Sequence, residues 1–293
     1  MIKKVGIVGC GAMGSGIAQV VLEAGYRVVV REIDASLLDR GIKAIQKGLE
    51  RSVEKGVLAT KAKEEALAHL SGSVALEDLK DCDLVIEAVF EDIRIKKELF
   101  KSLDSICPKE AIFASNTSSL SVTEMASATT RQERVVGLHF FNPVQVMALV
   151  EVIKTIATRD EISRMIFEFV KSLKKVPILA KDNSGFIVNL LLTPYLMDAI
   201  RAVANGIASV QDIDTGMKLG CGYPMGPLML ADFIGLDVLF KGTTSMFEEY
   251  KDSRYAPPPL LIQLVRMGYF GRKVGKGFYD WSDPKNPVPQ DIF

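Results

Sequence analysis

Histidine is almost missing from this chain: its 293 residues include two, His69 and His139. The four cysteines, Cys10, Cys82, Cys107 and Cys221, lie far apart, and none forms a C-x-x-C pair. Without imidazoles or thiolates at ligand spacing, a structural zinc site is excluded and no metal is expected. The same cysteine usage reads as a reduced chain of the cytoplasm. Net charge is absent too, since 36 Lys and Arg offset 36 Asp and Glu. That leaves no nucleic-acid footprint and no polybasic membrane surface. No apolar run is long enough to span a bilayer, so no membrane partner is expected. Lys3 and Lys4 precede an apolar stretch much as a secretory signal would begin. Glycines break that stretch, however, and it reaches Glu23 without a cleavage site.

What the chain does have is a dinucleotide-binding pattern at its start. The apolar run Val5 to Val8 leads into Gly9-Cys10-Gly11-Ala12-Met13-Gly14, followed by the helical pattern Ile17, Ala18, Val20, Val21, Leu22. Gly25 ends that helix, and a second strand, Arg27 to Arg31, closes on the acid Glu32. A lone G-x-G-x-x-G is weak, but strand, helix and acid together make the phosphate-binding unit of a Rossmann domain. Gly9 permits the tight turn, Gly11 lets the backbone approach a pyrophosphate, and Gly14 lets the helix pack close to the strand. With Ala12 and Met13, they line a helix N-terminus whose N–H groups and partial positive charge suit phosphate. Glu32 can accept hydrogen bonds from both hydroxyls of the adenosine ribose. Its carboxylate repels a 2′-phosphate, so NAD is favoured over NADP, although Arg31 next to it is of the type that binds such a phosphate.

The length predicts a second domain, and the hydrophobic fraction is ample for a packed core. A Lys-, Glu-, Leu- and Ala-rich helical insert covers about 35–70, with its first helix ending around Gly48 to Gly56 and Thr60 capping the next. So long a pair is expected to protrude from the sheet. Its Arg51 and Lys55 suit either a solvated helix face or a clamp for the phosphates of a large anionic substrate. Strands are then predicted at Ser73 to Leu76, Asp83 to Val89, Ala111 to Ser115, Arg134 to His139, Leu149 to Ile153 and Val176 to Ala180, with helices between. The polar cluster Asn116-Thr117-Ser118-Ser119 follows a strand's carboxyl end, where open α/β sheets place ligands. From residue 183 the pattern is almost wholly helical: Phe186 to Asn205 with Pro194 as a kink, Val210 to Leu219, Pro227 to Tyr250 and Pro259 to Met267. Domains 1–182 and 183–293 are therefore expected, α/β then all-α. The first of the late helices is apolar enough to be buried all round, in the domain core or a homodimer interface.

His69 lies in the charged insert, as a surface histidine would. His139 ends a strand on the side where a nicotinamide should lie. Twelve residues on, Glu151 sits in the apolar run Ala148 to Ile153, and a carboxylate there needs a partner. Neighbouring strands joined by a turn could pair the two, giving a base and the group that orients it, as alcohol dehydrogenation needs.

Several segments resemble the L-3-hydroxyacyl-CoA dehydrogenases. They are Ser115 to Leu120, Gly137-Leu138-His139-Phe140-Phe141-Asn142-Pro143, Leu149 to Ile153, Gly185 to Asn189, Tyr223-Pro224-Met225-Gly226-Pro227 and Gly275-Lys276-Gly277-Phe278-Tyr279. The likeness runs in order from Met1 to about Trp281, and its length, Asp212 to Asp214 and Gly271 to Lys273 are most similar to the bacterial 3-hydroxybutyryl-CoA dehydrogenases. The resemblance implies an NAD-binding Rossmann domain with a helical-hairpin insert, followed by an all-α domain for substrate and dimerisation. It implies interconversion of (S)-3-hydroxyacyl-CoA and 3-ketoacyl-CoA, with an acyl-CoA thioester as partner and His139 and Glu151 as the acid/base pair. Ser118 and Asn189 would then hydrogen-bond around the substrate oxygens and the histidine, with domain closure completing the site. Glu91, Lys96, Asn116, Ser118 and Lys273 match cofactor-contacting positions, and Arg51 and Lys55 match the place where the family's insert meets CoA phosphates. Four positions depart from the family pattern: Leu190 for the common arginine, Ala148 for lysine, Asp92 for asparagine, and Gly48 where some members have serine. Two other readings keep the fold, namely a dehydrogenase of a free hydroxy acid such as a sugar acid, and a non-catalytic dinucleotide-binding protein.

Overall fold

A computed structural model describes residues 2–292. The chain forms two compact units, Met1–Phe186 and Ile187–Phe293.

The first unit opens with β1 (Lys4–Val8), α1 (Ala12–Glu23) and β2 (Arg27–Arg31), followed by the insert helices α2 (Ala35–Glu54) and α3 (Thr60–Ala68). It continues through β3 (Leu70–Ser73), β4 (Leu84–Glu87), α4 (Ile93–Ile106), β5 (Ile112–Ser115) and α5 (Val122–Ala126). It closes with β6 (Val135–Phe140), β7 (Leu149–Lys154), α6 (Asp160–Ser172) and β8 (Val176–Lys181). The eight strands make one sheet in the order β3-β2-β1-β4-β5-β6-β7-β8. Neighbours are parallel except β6 and β7, which run antiparallel. This is a Rossmann-type sheet with a reversed pair of strands on one edge.

Alternation along the strands explains why they are apolar on both sides. Val5, Ile7, Val28, Val30, Leu84 and Ile86 face the core built with α1, α2 and α6. Their neighbours Val8, Val29 and Val85 join Phe100, Leu103 and Phe113 on the other side. With both faces covered, a strand needs no polar side. Each large side chain fully buried this way contributes about 1.5–3 kcal/mol.

The insert differs from its expectation. Helix α2 ends at Glu54, inside the expected Gly48–Gly56 stretch, but α3 starts from Ala59 with no side-chain cap, so Thr60 is its first residue and not its cap. Ile45 and Leu49 of α2 and Ala66 of α3 are part of the core shared with α1. The strand expected at Ser73 to Leu76 lies earlier, at Leu70–Ser73, and a 3₁₀ turn occupies Leu76–Leu79. Pairing with β2 sets this position, with Ser73 opposite Arg31.

The second unit holds α7 (Val188–Ala204), α8 (Val210–Cys221), α9 (Pro227–Ile234), α10 (Leu236–Tyr250), α11 (Pro259–Arg266) and the hairpin β9 (Tyr279–Asp280) with β10 (Val288–Pro289). The single helix expected from Pro227 to Tyr250 is two, because Gly235 takes φ 99°, which no helix contains. Helix α7 is not apolar-packed all round within its unit, since Leu191 is 70% exposed. Two buried carboxylates order this unit. Asp214 accepts the N–H groups of Leu228 and Met229 at the start of α9 and the Tyr279 hydroxyl. Asp232 accepts from Phe278 N, Tyr279 N and Trp281 Nε1. Burial pushes the Asp232 carboxyl up to about 6 in spite of these three donors. No helix among the described residues is long and apolar enough to cross a membrane.

Candidate active site

The carboxyl ends of β1, β4, β5 and β6 lie on one edge of the sheet, and the polar residues expected of a site gather there. At the end of β1, Gly9 has φ 91°, and a Cβ on Gly14 would fall 1.8 Å from the Gly9 carbonyl oxygen. These two glycines are required by the turn itself. Gly11 is different: it is the N-cap of α1, contributes no side-chain cap, and a Cβ there would meet no protein atom within 4 Å. Protein packing gives no reason for a glycine at Gly11. A phosphate brought against the uncapped start of α1, beside Ala12, Met13 and Gly14, supplies one, and so the loop fits a dinucleotide. Replacing Gly11 with Ala is therefore expected to leave unfolding free energy within about 1 kcal/mol of wild type. The same change should weaken NADH binding at least about tenfold, as read by fluorescence titration, because the methyl group enters the space the phosphate needs. Equal affinity in both proteins would show that nothing binds against Gly11.

Glu32 stands at the tip of β2. Its carboxylate accepts from Cys10 N at 2.5 Å and Ile33 N at 3.0 Å, so it is fixed beside the glycine loop with lone pairs to spare. Burial, with the Glu32 charge next to it, pushes the Cys10 thiol up to about 12, and that cysteine is no nucleophile. The Arg31 guanidinium is turned to the Val74 carbonyl, with Nε at 3.3 Å.

A buried ionic cluster follows at the ends of β4 and β5. Lys96 is 1% exposed, and its ammonium lies 2.6 Å from Glu87 Oε1 and 3.0 Å from Glu91 Oε2. Glu87 is wholly buried and also accepts from Ser115 Oγ at 2.6 Å and Val89 N at 2.7 Å. Glu91 in turn accepts from the Thr117 hydroxyl and from Ser118 N. The cluster thereby ties α4 to the loop that carries Asn116, Thr117 and Ser118. Asn116 Oδ1 accepts from Phe140 N at 2.9 Å, joining that loop to the end of β6. Glu87 was not among the residues expected at the site, although an acid inside Leu84-Val85-Ile86-Glu87 carries the same signal as Glu151.

At the end of β6, His139 lies directly opposite Glu151 in the antiparallel ladder with β7. His139 Nδ1 is 2.7 Å from Glu151 Oε2, and both side chains are buried. Phe141 and Phe186 pack on the imidazole, with ring centroids at 4.5 and 5.7 Å. A carboxylate on Nδ1 makes that nitrogen the donor and leaves Nε2 for chemistry.

The remaining expected residues are placed as follows. Arg51 and Lys55 occupy the last turn and the C-cap of α2, both exposed, and neither has a carboxylate at ion-pair distance among the described residues. Cations also stabilise a helix at this end, so their position alone does not mark a ligand. Asn189 and Lys273 belong to the second unit. Asn189 is in the first turn of α7, and Lys273 Nζ is 2.6 Å from Asp237 Oδ2. His69 is the C-cap of α3, remote in sequence from every one of these groups.

Comparison with known proteins agrees with this geometry. The family model described as 3-hydroxyacyl-CoA dehydrogenase, NAD binding domain, matches residues 4–183, and the model for the C-terminal domain of the same enzymes matches residues 185–281. A 3-hydroxybutyryl-CoA dehydrogenase of Clostridioides difficile is 44% identical over 95% of this chain and 99% of its own. A mitochondrial hydroxyacyl-coenzyme A dehydrogenase of Homo sapiens is 46% identical, over 96% of this chain and 92% of its own. The crystal structure of an (S)-3-hydroxybutyryl-CoA dehydrogenase from Ralstonia eutropha superposes with a TM-score of 0.93 at 42% identity, covering 97% of this chain and all of that one. A nicotinamide-dinucleotide fold, a second domain of matching type and full-length relatives at this identity lead to one conclusion: the chain belongs to the 3-hydroxyacyl-CoA dehydrogenase family.

Proposed function

We propose that the chain interconverts (S)-3-hydroxyacyl-CoA and 3-ketoacyl-CoA with NAD, on short substrates such as 3-hydroxybutyryl-CoA and acetoacetyl-CoA. The observation that carries the mechanism is the buried His139–Glu151 pair at the ligand edge of the sheet. His139 takes the 3-hydroxyl proton on Nε2 as the alcohol is oxidised, and returns it to the ketone oxygen in reduction. Glu151 fixes the tautomer through Nδ1–H and remains beside the ring while it is positively charged. The bound nicotinamide supplies the hydride acceptor or donor at C3. Gly9 to Gly14 would hold the pyrophosphate and Glu32 the adenosine ribose. Glu91, Lys96, Asn116 and Lys273 would serve the nicotinamide half. Ser118 and Asn189 would hydrogen-bond to the substrate oxygens, and Arg51 and Lys55 would meet the CoA phosphates.

NAD is favoured because the fixed Glu32 carboxylate repels a 2′-phosphate while Arg31 is engaged with Val74. A homodimer through the helical domain is part of this reading, since Leu191 and Leu219 there are 70% and 81% exposed. The test of the activity is loss of absorbance at the reduced-nicotinamide band with acetoacetyl-CoA. NADH and NADPH are compared in parallel, and free acetoacetate is the control. NADH is expected to be consumed with the thioester alone, and faster than NADPH by about tenfold or more, since a repelled phosphate costs at least about 1.4 kcal/mol. Turnover of the free acid in place of the thioester would overturn the assignment.

A further inference from the structure

A chain of hydrogen bonds crosses the back of α1, and none of its members takes part in the chemistry described above. Gln145, in the turn just after His139, donates through Nε2 to Gln19 Oε1 at 2.8 Å. Gln19 Nε2 donates to Glu23 Oε1 at 2.8 Å and to Ser52 Oγ at 3.1 Å. Ser52 donates to the same Glu23 oxygen at 2.7 Å. Every donor and acceptor along this route is used in one direction, ending on the Glu23 carboxylate, as a cooperative network should be. Gln19 is 3% exposed, deep for an amide, and satisfied at both ends. The insert helix has made room for it: a Cβ on Gly48 would fall 2.1 Å from Gln19 Oε1. Ser52 sits on α2 between Arg51 and Lys55.

We propose that Gln19 is a specificity-determining positioning residue that sets the spacing between the acid/base end of the site and the CoA-binding end. This rests on the reading of Arg51 and Lys55 as the phosphate anchor. The turn after His139 and the end of α2 are far apart along the sequence, and in space the cofactor helix α1 bridges them. Gln19 is on that helix and bonds to both. Through it, the position of Arg51 and Lys55 is referred to the same frame as the imidazole. A thioester whose distal phosphates are held on α2 then presents its C3 at the distance His139 requires. A substrate without those phosphates gains nothing from this spacing.

The test compares two substrates: acetoacetyl-CoA, and the acetoacetyl thioester of N-acetylcysteamine, which keeps the reacting carbons but lacks the nucleotide phosphates. Wild type is expected to prefer the CoA thioester in kcat/KM. In Gln19→Leu that preference should shrink about five- to tenfold through KM, as loss of a network worth one or two hydrogen bonds implies. The kcat on both substrates, and kcat/KM on the short thioester, should stay within about twofold of wild type. Gln145→Leu, at an exposed position, cuts the same chain with little burden on folding and should shift the preference the same way. A role confined to folding would lower activity on both substrates alike, and that result overturns the proposal. So does an unchanged preference in both variants while wild type favours CoA. If wild type does not favour the CoA thioester, the anchor reading of Arg51 and Lys55 falls, and this proposal falls with it.

Discussion

Replacing His139 with Gln is expected to lower kcat for acetoacetyl-CoA reduction by about 10²- to 10⁴-fold while leaving NADH affinity unchanged. Glutamine still fills much of the space among Phe141, Phe186 and Glu151, and its amide can still donate to the Glu151 carboxylate. What it lacks is a group that takes and returns a proton near neutral pH. The dinucleotide loop follows β1, which β4 and β5 separate from β6 in the sheet, so the pyrophosphate contacts that dominate cofactor binding are left in place. Glu151→Gln separates the two roles. The imidazole would remain but lose its charged partner, so kcat should fall by less than in His139→Gln. Stopped-flow reduction with NADH affinity measured separately checks both variants. Near-native turnover in His139→Gln would remove the mechanism, whatever the family.

Lys96→Met is expected to be among the most damaging single changes to stability, at about 3–5 kcal/mol. The ammonium is buried, and it lies between two carboxylates, one of which is wholly buried as well. Removing it leaves Glu87 and Glu91 facing each other without a counter-charge, and water cannot reach Glu87 to replace it. Ser115 Oγ and Val89 N would still donate to Glu87, but neither is charged. Urea unfolding of wild type and variant gives the difference directly. Because Glu91 also holds Thr117 and Ser118, the variant should lose cofactor affinity even where it is fully folded. A loss below about 1 kcal/mol would mean that the cluster is solvated in solution, as an exposed ion pair is.

The parts of the fold that could be read in advance are those where one local rule dominates. The strand–glycine loop–helix–strand–acid run at the start is such a case, because its turn, close packing and phosphate chemistry each demand a particular residue. The paired His139 and Glu151 were legible for a similar reason: a carboxylate in an apolar strand has to be answered by something, and His139 was in reach. Glu87 sends the same message, but its answer, Lys96, comes from a helix whose rotation about its axis the sequence does not state. The break at Gly235 was hidden because Pro227 to Tyr250 keeps a helical apolar pattern on both sides of it. Only the backbone angle separates α9 from α10. Strand β3 was misplaced by three residues since its position is set by pairing with β2 and not by its own composition, Leu70-Ser71-Gly72-Ser73. Gln19 gave no signal at all. A glutamine on an amphipathic helix reads as solvent-facing, and the room left for it by Gly48 is a property of two helices together.

The antiparallel join of β6 to β7 has a consequence for how this enzyme can change. His139 and Glu151 are opposite one another through the ladder, which closes beyond them with the pair Phe140 and Val150. The turn beyond that pair, from Phe141 to Ala148, is mostly exposed. Its exposed side chains Asn142, Val146 and Met147 can therefore vary without separating His139 from Glu151, whereas Phe141 packs on the imidazole, Val144 is buried and Gln145 bonds to Gln19. The pairing is locked into the sheet, and variation is left to the exposed part of the turn that joins β6 to β7.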